Sequence, residues 1–276
     1  MSTTMTAGAL RPTMSRFARE VNTIVAVAAR DITVTLKSPG ALVMSLVMPL
    51  MMMGMIGGNL LDNMAGGLGF ELGEFMLVGM LVMMLFMMTT MGMVSLVDDS
   101  DDNYSAELLV SPVSRYAIVI GKILGSSFTA IICCVGVLVV GLAMGITLSP
   151  WSLLALLALA PLMCLSGGAL AMIVMGVIKN NKAANLAVML ITMPQMFLSG
   201  VIIPIANSTG LLFLLSRVLP MTYCVDLGRA VVYAGSPEYD SVVLFNPMVS
   251  LLAIAGLTAV CLVVGTVLYA RSEKNR

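Results

Sequence analysis

Histidine is absent from the chain. It is the commonest general base and metal ligand near neutral pH, so catalytic triads and zinc sites that depend on it are excluded. Charge is scarce as well. Asp, Glu, Lys and Arg make up 10% of the 276 residues, against about 25% in soluble domains. Long apolar runs with so few charges cannot be kept in water, and the membrane class follows. The formal net charge is zero, so there is no basic footprint for nucleic acid. Aromatic residues are 5% of the chain, with Trp151 the single tryptophan. The cysteines Cys133, Cys134, Cys164, Cys224 and Cys261 show no C-x-x-C spacing. Four of them lie in apolar runs, where cysteine behaves as a small hydrophobe, and no disulfide framework is expected. The first 40 residues are polar and basic and lack the apolar core of a cleavable signal peptide.

Two further absences narrow the mechanism. There is no P-loop: the one Gly-Lys pair, Gly121-Lys122, is followed by Ile123 and has Tyr116 where the first loop glycine would stand. If ATP drives this protein, another polypeptide binds it. Nor does any charged residue fall in the middle of an apolar run, where ion-coupled carriers place Asp, Glu or Lys. The polar groups found there are Ser45, Thr89, Thr90, Ser95, Ser126, Ser127, Thr129, Ser166, Asn185, Thr192, Gln195 and Ser199. Each can bond between helices for about 0.6–2 kcal/mol.

The apolar runs are 41–61, 75–97, 117–146, 151–178, 183–206, 211–221 and 247–270. A span takes about 20 residues. Run 211–221 is too short and carries Arg217 and Pro220, which leaves six spans. Basic residues mark the cytoplasmic side. Arg11, Arg16, Arg19, Arg30 and Lys37 precede the first span, and Arg271, Lys274 and Arg276 follow the last, so both ends lie inside and the number of spans is even. The loop 98–116 is then inside with Arg115, and Lys122 can snorkel back to that side. Of the 14 lysines and arginines only Arg217 and Arg229 fall outside. The expected architecture is an all-α integral membrane protein of the cell (plasma) membrane, multi-pass, with both termini cytoplasmic. Residues 1–40 form a cytoplasmic N-terminus and residues 41–276 a six-span domain.

Within residues 1–40, Thr13 to Lys37 reads as an amphipathic helix. Phe17, Val21, Ile24, Val25, Ala28 and Ile32 fall on one face, and Arg16, Arg19, Glu20, Thr23, Arg30 and Asp31 largely on the other. Such a helix lies in the membrane interface or packs on a partner, and Ser38-Pro39-Gly40 ends it. Between the fifth and sixth spans, residues 200–246 mix Pro204, Asn207, Gly210, Pro220 and Asp226 with apolar stretches. This reads as an external re-entrant segment. Irregular backbone at membrane depth must be buried in protein or line a wet cavity, so the segment is either an outer gate or a plug of the outer face.

Methionine is abundant, 27 in all. Met76, Met80, Met83, Met84, Met87, Met88 and Met91 make a helical stripe in the second run. It suits core packing with a flexible side chain, an adaptable surface for apolar substrates, or soft-metal binding through thioethers; no cysteine or histidine accompanies the stripe in sequence, which disfavours the last. Gly141-x-x-x-Gly145 reads as a close-packing pattern.

Three stretches, taken in order, resemble the permease subunits of ABC exporters of the second exporter type, the group that includes daunorubicin-resistance permeases and polysaccharide exporters. They are Glu107-Leu108-Leu109-Val110-Ser111-Pro112-Val113-Ser114-Arg115 with Gly121-Lys122; Phe197-Leu198-Ser199-Gly200-Val201-Ile202-Ile203-Pro204; and Leu219-Pro220-Met221-Thr222-Tyr223 with Asp226 and Arg229. The acidic cluster Asp98 to Asp102 departs from the mixed or basic loop of that family. The resemblance implies a transport subunit that is not itself an enzyme. It binds no cofactor, and ATP and Mg sit on a separate nucleotide-binding subunit. A second permease subunit, identical or related, completes the path. The implied coupling residues are Tyr104, Glu107, Leu108, Pro112 and Arg115; the alternative for Glu107 and Arg115 is plain solvated loop charge. The candidate translocation path or gate comprises Met80, Met84, Thr192, Gln195, Ser199 and Pro204. The expected cargo is a small amphipathic or hydrophobic compound, drug- or antibiotic-like. A glycan or lipid-linked substrate, a non-transporting scaffold or regulatory subunit, and an ion-coupled carrier are the alternatives.

Overall fold

The computed structural model describes residues 16–64, 70–101, 115–178, 180–202, 205 and 210–274. Among them every regular element is a helix. In chain order these are α1 (Arg16–Lys37), α2 (Pro39–Met64), α3 (Leu72–Asp101), α4 (Arg115–Ala143), α5 (Pro150–Val177), α6 (Asn181–Leu198), α7 (Leu211–Val218), α8 (Pro220–Val232), α9 (Tyr239–Val242) and α10 (Pro247–Lys274). Four helical stretches among the described residues are long and apolar enough to cross a membrane: Leu72–Ser95, Ala117–Ala143, Pro150–Val177 and Tyr239–Leu268. A fifth crossing is available if α1 and α2, bent by 80° at their junction, are counted as one broken span.

The helices start and stop where local chemistry requires. Ser149 caps α5, its side chain accepting from the Ser152 amide at 3.1 Å, and Pro150 takes the first helical position, where no amide is needed. Asn180 caps α6 in the same way. Gly145 has φ +83° and closes α4: the Ile146 amide reaches back to the Gly141 carbonyl and the Gly145 amide to Leu142. The Gly141-x-x-x-Gly145 pattern is therefore not a packing pair. Gly141 receives the Leu77 side chain, while Gly145 has open space where a Cβ would stand and serves as the helix stop. At the same end of the bundle Gly200, φ +75°, turns the chain out of α6, where the sequence places a break.

The fold is arranged around α3. Of its most apolar stretch 78% is buried, against 17% for α10. It packs on α2, α4, α5, α6 and α8. Hydrophobicity cannot choose the inner face of a helix that is apolar all round, and lipid is as apolar as leucine; small residues and polar contacts decide instead. Gly167 on α5 shows this. A Cβ there would collide with the Phe86 carbonyl of α3, and the Thr90 hydroxyl donates to the Gly167 carbonyl at 3.1 Å. The outward faces of α5, α6 and α10 carry exposed Leu154, Leu157, Leu186, Leu190, Leu252 and Val260. An apolar exterior of this kind suits lipid.

Helices α3 and α4 are antiparallel neighbours. Gly92 faces Ser126, Cys134 donates to the Leu81 carbonyl at 3.4 Å, and Gly141 faces Leu77. The chain between Asp101 and Arg115 is thus the hairpin connection at one end of this pair. Helix α3 runs through Asp98 to Asp101, one turn past the point where the sequence reading begins the loop.

Candidate functional site

Of the coupling residues that the resemblance implies, Tyr104, Glu107, Leu108 and Pro112 lie outside the described residues, and Arg115 is the first residue of α4. What the structure supplies is their setting. Helix α1 packs lengthwise on the first turns of α4. Gly121 lies against Ile24 and Val27, Gly125 against Ala28 and Asp31, and the Thr35 and Thr129 hydroxyls meet at 2.9 Å. Glycines at positions 121 and 125 let the two backbones approach, since a Cβ on either would press into α1. Into this seam goes an ion pair, Lys122 Nζ to Asp31 Oδ1 at 2.9 Å, with the side chains 4% and 13% exposed. The sequence reading has Lys122 snorkelling to water and Asp31 on the polar face of α1. The structure corrects both: the glycines on each side bring α1 close enough for the two charges to meet, and pairing removes the need to reach solvent. Helix α1 is therefore fixed to the bundle, while Phe17, Val21 and Val25 remain exposed along its apolar edge.

The candidate path residues fall on two helices that pack together. Met80 and Met84 are buried in the core on α3, at 0% and 3% exposure, with Met76 and Met83 beside them in sequence equally covered. Thr192 and Gln195 on α6 and Ser199 at its C-cap are buried, and α6 packs on α3. Thr192 donates to its own helix at the Val188 carbonyl. The Gln195 side-chain oxygen and the Ser199 hydroxyl have no hydrogen-bond partner among the described residues, which is uncommon for buried polar groups. Pro204 lies outside the described residues.

Residues 200–246, expected from the sequence to be external, contain two buried charges that sequence pattern alone underweights. Arg229 on α8 is buried. One terminal nitrogen donates to the Gly200 carbonyl at 2.7 Å and to the Val201 carbonyl at 3.2 Å, and the guanidinium lies over the Phe75 ring of α3, 3.5 Å from its centre. Three residues earlier, Asp226 accepts from the Leu244 amide and from the Ser250 hydroxyl of α10, each at 2.6 Å. Helix α8 is thus tied on one side to the end of α6 and to α3, and on the other to the start of α10. Gly228 seats it against Val82, Leu156 and Met163. Arg217, the other basic residue that the sequence puts outside, lies over the Phe213 ring at 4.1 Å and the Phe245 ring at 5.0 Å. The sequence signal for Asp226 and Arg229 was available as two opposite charges three apart in an otherwise apolar stretch.

Among the described residues no group of three or more His, Cys, Asp or Glu side chains is placed to hold a metal ion. The sequence profile of the family described as ABC-2 type transporter matches residues 22–233, from α1 through α8. No curated protein matches the chain.

Proposed function

The chain belongs to the ABC-2 type transporter family, and from that premise we propose that it is the membrane-spanning permease subunit of an ATP-driven exporter. The family implies a partner ATPase subunit and the membrane, and the chain lacks a P-loop of its own. The partner acts on the hairpin after Asp101. The observation that carries this reading is the α1–α4 seam: force on the hairpin enters α4 at Arg115, and the Lys122–Asp31 pair with the close approach at Gly121 and Gly125 makes α1 and α4 move together.

The six crossings are α2, α3, α4, α5, α6 and α10, with α7 and α8 forming the external re-entrant pair and the termini on the cytoplasmic side. Helix α6 has 18 residues, about 27 Å at the helical rise, close to the hydrocarbon thickness. The cargo is a small amphipathic or hydrophobic compound, and a second permease subunit completes its route. Buried Gln195 and Ser199 supply hydrogen-bonding groups on an otherwise apolar way, and the α3 methionines supply adaptable contact.

The test is affinity purification of the chain from its native membrane, with identification of co-purifying proteins and an ATPase assay. A P-loop protein that co-purifies with vanadate-sensitive activity is the expected result. Recovery of the chain alone without ATPase activity would remove the exporter reading and favour a scaffold or ion-coupled role.

A further inference from the structure

A cavity of about 390 Å³ opens between α1, α3 and α4. Its charged lining is the Lys122–Asp31 pair together with Arg30. Its apolar lining includes Met88 and Met91, the inner end of the α3 methionine stripe, and Val34, which is exposed at the rim. Ser95, Ser126, Thr35 and Thr129 add hydroxyls. The volume falls within the range of small-molecule sites, about 300–1,000 Å³.

Three observations specify an occupant. First, the lining holds an arginine and a lysine, side chains that carry only N–H donors, and such donors suit an oxyanion. Lys122 is held by Asp31 inside the wall, and an arginine has more N–H donors than one partner uses, so Arg30 can keep a protein partner and still donate to an oxyanion. Second, the charged groups share the space with thioethers and a valine, which calls for a ligand with an apolar part next to its anionic part. Third, the cavity sits where the apolar stretch of α3 ends, at Ser95, on the side where basic residues precede α2. This is headgroup depth, and basic pockets between helices at that level hold anionic lipid heads. We propose that the α1–α3–α4 cavity binds an amphiphile whose phosphate headgroup carries a net negative charge, taken up from the adjoining leaflet. The same chemistry is offered by a membrane phospholipid resident in the site and by a phosphate-bearing cargo on its way through.

The purified full chain in a neutral detergent tests this without its ATPase, so the result does not depend on the exporter reading. A photoactivatable phosphatidylglycerol should crosslink to segments 30–35, 88–95 and 122–129, with about tenfold preference over the phosphatidylcholine analogue, the scale of one charge-assisted hydrogen bond. Ser95→Phe, which fills the cavity and leaves the ion pair untouched, should abolish labelling of these segments. Arg30→Gln should reduce the headgroup preference. Competition by inorganic phosphate as strong as by unlabelled phosphatidylglycerol would overturn the amphiphile. So would equal labelling by the two lipids, or labelling elsewhere on the chain. Should Ser95→Phe fail to purify, the headgroup preference in wild type and Arg30→Gln decides alone. In vesicles with the ATPase partner, ATP-dependent movement of labelled phosphatidylglycerol to the other leaflet identifies cargo, and labelling of the site without movement identifies a resident lipid; either result supports the site.

Discussion

Arg229 shows how a charge is accommodated in an apolar bundle. Its donors meet two carbonyls freed where the chain leaves α6 at Gly200, and its flat face is covered by Phe75. An arginine suits this position because a planar guanidinium both stacks and donates in a fixed fork, which an ammonium does not. Arg229→Met is expected to strand those carbonyls and lower stability by about 1.5–3 kcal/mol, the worth of hydrogen bonds from a charged donor. Thermal unfolding of the purified protein in detergent measures this, and Arg229→Lys should fall between the two; an unchanged midpoint in both variants would show that the contact is incidental. The sequence announces this residue as an exception to the rule that basic residues stay inside and as a charge three positions from Asp226. Its partners are far away along the chain and two of them are main-chain atoms, so no side-chain pattern points to them.

At the scale of elements, helices and their breaks were legible and their faces were not. Long apolar runs, Ser38-Pro39-Gly40 and Gly200 carry strong local signals, and the structure breaks at these places. The inner face of α3 has no such signal because methionine, leucine and valine surround the helix. What selects its neighbours are glycines on other helices, such as Gly167 and Gly228, whose value lies in an absent side chain. Gly167→Leu should force α3 and α5 apart and cost about 1–3 kcal/mol or more, read as loss of monodisperse protein on size-exclusion chromatography. For the α1–α4 seam a double-mutant cycle is informative. Lys122→Met alone leaves Asp31 buried without its counter-ion, and loss of one partner of a buried pair costs about 3–5 kcal/mol. Lys122→Met with Asp31→Leu should recover most of that stability. If the seam also transmits motion from the hairpin, the double variant restores folding yet stays impaired in ATP-driven transport. Full transport by the stable double variant would show that the pair acts in folding only.

For the whole molecule, the hairpin and the core make opposite predictions. Glu107→Arg alters a surface that the ATPase would meet, so transport should fall while membrane insertion and melting stay as in wild type; a transport assay on vesicles with matched protein levels checks this. Met84→Lys puts a charge into the centre of the bundle, at about 2.5–3.5 kcal/mol on insertion scales, and should reduce the amount of folded protein before transport is measured at all. The membrane class and the long apolar helices follow from composition, run length and the scarcity of charge. The cavity beside Lys122 does not, since it is built from three helices whose packing the sequence leaves open. The burial of the α3 methionines has one more consequence. A thioether is converted to its sulfoxide only when an oxidant reaches it. Met44 and Met248 lie at the surface, whereas Met76 and Met80 are sealed in the core. Sulfur oxidation therefore records access: a methionine in water reacts with a water-soluble oxidant at once, one that faces lipid is shielded, and those of α3 react only as fast as the bundle opens around them. A transporter caught in mid-cycle would carry that history in its mass, residue by residue.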